Sequence, residues 1–108
     1  MSITFHGGDE ESGEVFIVET IAEAGTILGS HVHKHAHTSC LVRGIADVTI
    51  DGKTERIEGY RLLTVPANTT HQVEAITDIV WLCIWASDLA PREEAEQSLK
   101  LGVYHGDD

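Results

Sequence analysis

Five histidines in two short patches are the residues of this chain whose type and spacing could do chemistry. His31, His33, His35 and His37 occupy alternate positions, and His71 stands alone some thirty residues further along. Imidazole is the commonest protein ligand for transition metals. The two patches therefore indicate a metal site built from residues that are distant in the sequence.

An extended strand cannot bring all four alternate histidines to one ion. Residues two apart share a face of a strand, but six residue steps at ~3.3 Å separate His31 and His37 by about 20 Å. Metal–nitrogen bonds are only ~2.0–2.1 Å long, so the chain has to bend within Lys34–Ala36. His35 then lies at the bend, and it is the alternative to His37 as the fourth ligand. With that bend, four histidines form the natural set: His31, His33, His37 and His71.

Turn signals divide the rest of the sequence into short strands. Asp51-Gly52 is a strong two-residue hairpin signal, because both positions tolerate the positive φ of a type I′ turn. Short strands between frequent turns, with no long helical pattern before residue 88, predict an all-β antiparallel sandwich or barrel. The predicted strands are Glu14–Glu19, Thr26–Leu28, Thr38–Arg43, Ile45–Ile50, Lys53–Ile57, Tyr60–Val65, His71–Ile76 and Ile79–Ala86.

The end of the chain differs from the part before it. Ile79–Ala86 is apolar on both faces, so this strand is either central or covered by another chain, and we favour a homodimer contact. Trp81, Cys83 and Trp85 share one face and are most simply packing residues. Beyond them, Pro91 followed by glutamates and a closing Lys100 predicts a short C-terminal helix over residues 91–100.

Size, charge and cysteine usage exclude several classes of protein. A chain of 108 residues suffices for one small domain. Its 7 Lys and Arg against 18 Asp and Glu give a net charge of −11, which disfavours nucleic acid as a partner. No apolar stretch approaches the ~18 residues of a membrane span, and the N-terminus lacks the pattern of a signal peptide. Two cysteines without a paired motif are typical of free thiols in a cytoplasmic protein.

Two stretches of the sequence resemble the two motifs of the cupin superfamily. The first is Gly25-x5-His31-x-His33-x3-His37-x6-Gly44, and it has His37 where the family usually has glutamate. The second is Gly59-x6-Pro66-x-Asn68-x2-His71, in which Asn68 replaces the usual glycine and one extra residue precedes the proline. The resemblance implies a small double-stranded β-helix, the cupin or jelly-roll barrel, as a single domain over residues 1–108. Its core would cover about residues 14–86.

The resemblance also implies a ligand set. Cupin metal sites use two histidines, the glutamate and the later histidine, which correspond here to His31, His33, His37 and His71. Imidazole in place of the carboxylate removes a negative charge from the site. An all-nitrogen set suits iron, cobalt, nickel, copper or zinc better than magnesium or manganese. We therefore expect one divalent transition metal per chain and no separate organic cofactor.

Three functions remain open from the sequence. We favour a metal-dependent enzyme that resembles cupin dioxygenases and acts on a small anionic or enolisable molecule, because no general acid or base is apparent. A zinc or nickel lyase or isomerase, using the metal as a Lewis acid, is the second possibility. The third is a non-catalytic cupin that binds a metal or a small molecule as a sensor or accessory protein.

Overall fold

Two antiparallel sheets, each of five strands, form the part of the chain that the computed structural model describes, which is residues 1–32, 36–86 and 103–105. The strands are β1 (Ser2–Gly7), β2 (Val15–Ala22), β3 (Thr26–Val32), β4 (His37–Arg43), β5 (Ile45–Ile50), β6 (Lys53–Glu58), β7 (Arg61–Val65), β8 (Thr70–Ala75), β9 (Ile79–Ala86) and β10 (Val103–His105). The first sheet has the order β1-β2-β9-β4-β7, and the second sheet has the order β10-β3-β8-β5-β6.

Alternation of buried and more exposed residues along the strands creates the core between the sheets, most clearly in β2. There, Phe16, Val18, Thr20 and Ala22 are buried, and the residues that alternate with them are half-buried or exposed. The same period of two places Leu41 and Trp81 of the first sheet against Val48 of the second in one buried cluster. Successive side chains of a strand point to opposite faces, so this alternation fixes which residues meet in the interior.

The all-β jelly-roll fold predicted from the sequence is confirmed. β1 was missed although Ile3 and Phe5 alternate with polar residues, because the stretch is short and glycines follow it. β10 was missed because three residues carry no pattern. The helix expected over residues 91–100 lies outside the described residues, so the single domain over residues 1–108 stays a prediction. Among the described residues, no helix has the length and apolarity to cross a membrane.

Two turns show why particular residues are needed. Asp51 and Gly52 have φ values of 50° and 82°, as the predicted β5–β6 hairpin turn demands. Gly44 joins β4 to β5 with φ of 99°, and a Cβ there would collide with the backbone oxygen of Asp78. Gly59 also has a positive φ, of 74°, but open space surrounds the position of its missing Cβ.

The outer faces of the two sheets differ in polarity. The second sheet carries a bidentate ion pair between Arg56 and Asp47, and a 2.8 Å bond joins Arg56 Nε to Asp47 Oδ1. In the first sheet, by contrast, the apolar side chains of Ile21 and Leu62 are 46% and 54% exposed. They lie on either side of the half-buried Leu82. Its β9 is a central strand between β2 and β4, which accounts for one apolar face. We propose that a second copy of the chain covers the other face, because exposed apolar side chains grouped on one sheet face are typical of an interface.

Replacing Gly44 with alanine should destabilise the protein far more than the same change at Gly59. Both substitutions put an alanine at positive φ, which costs about 1–2 kcal/mol, but only the first also collides with backbone. We expect a loss of about 3 kcal/mol or more for Gly44→Ala and about 1 kcal/mol for Gly59→Ala, measured by urea unfolding. Equal losses at the two positions would contradict the close approach of Gly44 to Asp78.

Charging the outer face of the first sheet should dissociate the proposed homodimer. Leu82→Glu places a carboxylate in the centre of that face, where a second copy would have to desolvate it. Sedimentation should then give the mass of one chain for the variant and of two chains for the unmodified protein. Gln72→Glu is the matched control, since Gln72 lies on a central strand of the second sheet, opposite Thr49. A monomeric unmodified protein at micromolar concentration would overturn the proposal.

Candidate functional site

Two of the predicted ligands, His37 and His71, meet in the interior between the sheets. His37 begins β4 of the first sheet, and His71 is the second residue of β8 in the second sheet. They are 6% and 8% exposed, and their ring centroids lie 5.6 Å apart at an interplanar angle of 61°. Two histidines that are 34 positions apart in the sequence therefore present their rings to each other.

Trp85 stacks on one face of the His37 ring. The β4–β9 ladder pairs Thr38 with Ile84, and one further step of this register brings His37 opposite Trp85. The two rings stack with centroids 4.1 Å apart and an angle of 16° between their planes. Such a stack restricts rotation of the imidazole, so the plane in which its nitrogens point is fixed by β9.

The remaining predicted ligands are only partly within the described residues. His31 lies directly opposite His71 in the β3–β8 ladder, just after a register shift that follows Leu28. His33 and His35 lie outside the described residues. Of the four expected ligands, the structure thus brings His37 and His71 together and places the backbone of His31 beside them.

An apolar cluster closes the site on the side of Trp85. Phe16, Val18 and Trp85 are buried together, and Phe5 and Cys83 pack against them. Both nitrogens of His37 and Nδ1 of His71 have almost no contact with solvent. Electrostatic interactions are stronger in such surroundings than in water.

The pair of histidines fits a transition metal by its chemistry and by its spacing. Metal–nitrogen bonds are about 2.0–2.1 Å, so two imidazoles that share an ion have ring centroids within roughly 6.5 Å of each other. The observed 5.6 Å satisfies this limit. Among the described side chains, no group of three or more His, Cys, Asp or Glu residues could hold an ion. The described chain therefore adds no carboxylate or thiol to the two histidines, and nitrogen donors suit iron, nickel, copper or zinc.

The thiol nearest to this cluster is held in its neutral form. Cys83 lies on the inner face of β9 between Trp81 and Trp85, and Ser39 Oγ donates a 3.7 Å hydrogen bond to its Sγ. Burial raises the pKa of the Cys83 thiol, and hydrogen bonds with Ser39 and Trp81 offset only part of that rise. A protonated thiol is neither a nucleophile nor a metal ligand, so Cys83 contributes packing.

Sequence reasoning found the histidines but not the role of Trp85. The sequence contains part of the signal, since Trp81 and Trp85 share one face of β9, but this pattern alone indicates only packing. Identifying the partner of Trp85 also required knowing that β9 pairs with β4, two strands that are separated by four others in the sequence.

The sequence model of the Cupin domain matches residues 17–85, and the chain therefore belongs to this family. The match runs from β2 to β9 and includes every histidine of the two patches. No curated protein matches the sequence.

Solved structures share the fold at low sequence identity. A cupin superfamily protein of Desulfitobacterium hafniense is 16% identical with a TM-score of 0.69, and the match covers 79% of this chain and 75% of that one. A conserved protein of unknown function from Streptococcus pyogenes is 22% identical with a TM-score of 0.61, with 66% of this chain and 62% of that chain covered.

A further similar structure is the oxalate decarboxylase of Bacillus subtilis, in which Mn(II) centres were studied. It is 23% identical with a TM-score of 0.60, and the match covers 68% of this chain but 21% of the decarboxylase. This chain thus spans less than two thirds of the Streptococcus pyogenes protein and about a fifth of the decarboxylase. At these identities the likeness shows the fold alone.

Alkylation of the native thiols should be slow and should accelerate with alkaline pH. Burial raises the pKa of both Cys40 and Cys83, so less thiolate exists at pH 7.5 than in an unfolded chain. With iodoacetamide, we expect a rate at least about tenfold below that in urea. The variants Cys40→Ser and Cys83→Ser separate the two sites. Reaction of native Cys83 as fast as the denatured thiol would contradict the burial that the structure shows.

Proposed function

We propose that this cupin binds one divalent transition metal per chain and uses it to catalyse a reaction of a small anionic or enolisable molecule. The proposed ligands are His31, His33, His37 and His71, and an oxidative, dioxygenase-like reaction is the one we favour. The two free cysteines support the reducing cytoplasm as the compartment in which the protein works.

The observation that carries the proposal is the meeting of His37 and His71. Two buried imidazoles from opposite sheets, with ring centroids 5.6 Å apart, are spaced as ligands of one ion would be. The backbone position of His31 adds support, because residues directly opposite in an antiparallel ladder have Cα atoms about 4.5–5.5 Å apart. His33 enters the proposal through the cupin motif that it shares with His31.

The chain's own residues would orient and shield the reacting groups. Trp85 stacks on His37 and fixes the plane of its ring, while Phe16 and Val18 form an apolar wall that excludes water. Bound there, a transition metal supplies Lewis acidity or one-electron chemistry. Because the proposed ligands are neutral imidazoles, the full charge of a divalent ion is available to attract an anionic substrate.

Two other functions compete with the favoured one. The likeness to an oxalate decarboxylase with Mn(II) centres supports metal chemistry in this fold, which includes a lyase or isomerase that uses zinc or nickel. A non-catalytic cupin is the other alternative. Four protein ligands on a tetrahedral ion would close the site, whereas an octahedral ion would keep two positions open for substrate. The coordination number therefore distinguishes a binder from an enzyme.

Substitution of His71 should remove the metal from the protein. We expect elemental analysis of tag-free protein to find about one equivalent of iron, nickel, copper or zinc per chain. The variants His71→Ala and His71→Gln should retain less than a tenth of it, because loss of one ligand from a shared site weakens binding strongly.

His6→Ala is the matched control for this experiment. His6 is exposed on β1 and hydrogen-bonded to Glu19 at 2.9 Å, far in the fold from the histidine pair. Its removal should leave the metal content unchanged. The proposed site would be wrong if folded His71→Gln kept its metal, or if His6→Ala lost as much metal as His71→Gln. X-ray absorption of the loaded protein then counts the ligands and separates an open site from a closed one.

A further inference from the structure

A cleft of about 440 Å³ opens between the β5–β6 hairpin and β7, at the edge where the two sheets separate. The apolar side chains of Val48, Ile50, Ile57 and Leu63 line it, and the other described side chains of its lining are polar or charged. Small-molecule sites in proteins typically have volumes of about 300–1,000 Å³ and mostly apolar walls. The cleft therefore has the size and lining of a site for a small organic molecule.

Two charged residues of β6 lie on the side of that strand that faces the interior. The β5–β6 ladder pairs Ile50 with Lys53 and Val48 with Glu55, and residues paired in this way share a face of the sheet. Both Lys53 and Glu55 line the cleft. Because β6 is the edge strand of its sheet, both side chains are exposed and their charges lie at the rim of the cleft.

Glu55 has its partner within the fold. Arg61 of β7 donates a hydrogen bond from Nη1 to Glu55 Oε2 at 2.6 Å, and this ion pair connects the second sheet to the first at the rim of the cleft. The charges of Glu55 and Arg61 therefore neutralise each other. In the described part of the chain, the ion pairs of basic side chains involve Arg56 and Arg61 but not Lys53. Among the described residues, Lys53 therefore forms no ion pair, and it places a positive charge beside the cleft in a chain of net charge −11.

One end of the cleft lies next to the strands that carry the two histidines. Ile50 is directly opposite His71 in the β5–β8 ladder and directly opposite Lys53 in the β5–β6 ladder. On the other wall, Leu63 is two residues before Val65, which pairs with His37. The end of the cleft that carries the cation is therefore the end nearer to His71, and the apolar walls extend from it along β6.

We propose that this cleft binds a small organic acid, whose carboxylate contacts the ammonium group of Lys53 and whose apolar body lies against Val48, Ile57 and Leu63. A carboxylate complements the positive charge of Lys53, and an apolar body complements the apolar side chains that line the cleft. The carboxylate then lies at the end of the cleft nearer to His71, and the apolar body extends along β6 away from that end. The proposal names a substrate class for the proposed function, on which it rests for the claim that the ligand reacts.

The test uses two probes of the same shape, 3-phenylpropanoate and the neutral 3-phenylpropanamide, added to metal-free protein. Chemical-shift changes of the backbone amides report both affinity and location. We expect shifts at Ile57 and Leu63 with both probes, and about fivefold tighter binding of the carboxylate, as an ion pair open to solvent provides at most. Equal affinities for acid and amide, or shifts confined to other residues, would overturn the proposal.

Substitution of Lys53 identifies the source of the preference. Lys53→Gln should lower the affinity for 3-phenylpropanoate to that for the amide and leave amide binding unchanged. Arg56→Gln is the matched control, because it removes one positive charge from the same strand but from the opposite face, where Arg56 binds Asp47. A preference for the acid that survives Lys53→Gln, or that disappears equally with Arg56→Gln, would overturn the assignment.

The two proposals fail independently of each other. Binding to the cleft is measured without metal, so a negative elemental analysis leaves the result for the cleft intact. If the cleft binds neither probe, the metal contents of His71→Gln and His6→Ala still test the proposed metal site.

Discussion

The register of the β-ladders is the constraint on which the whole site depends. His37 and His71 meet only because β4 and β8 each turn the correct alternate residues toward the interior. A slip of one residue in either strand would turn its histidine to the outer face. Gly44 protects one register, since its lack of a side chain lets β4 pass into β5 beside Asp78. Asp51 supports the register of β8, because its backbone N–H donates a 2.9 Å hydrogen bond to the carbonyl oxygen of Thr70, the residue before His71.

The polar site and the apolar core are parts of one packing arrangement. Trp85 belongs to a buried cluster with Phe16 and also stacks on His37, so the plane of the imidazole is set by hydrophobic packing. Cys83 packs between the clusters and stays neutral, because burial raises the pKa of its thiol. The residues around the histidines therefore supply orientation and exclusion of water, and the chemistry falls to the nitrogens and whatever they bind.

Features set by local interactions could be predicted from the sequence, whereas features set by contacts between distant strands could not. Strands such as β5 and β6 were predictable because alternation and the Asp51-Gly52 turn are local signals. The bend required within Lys34–Ala36 and the cupin resemblance both group His31 and His37 with His71, and the structure brings the last two together. The contacts of Trp85, and the inward position of Lys53, required knowledge of which distant strands pair. No local pattern carries that information, since pairing partners are chosen by the fold as a whole.

The charges around the cleft differ from the charge of the molecule as a whole. A net charge of −11 repels anions at long range, although salt weakens that repulsion beyond a Debye length of about 8 Å at physiological ionic strength. At the rim of the cleft, Glu55 is neutralised by Arg61, and Lys53 adds a positive charge. Because Lys53 shares a cross-strand row with Ile50 and His71, an anion bound to Lys53 lies at the end of the cleft nearer to the histidines. The apolar walls that extend from this end then select for an acid with an apolar body.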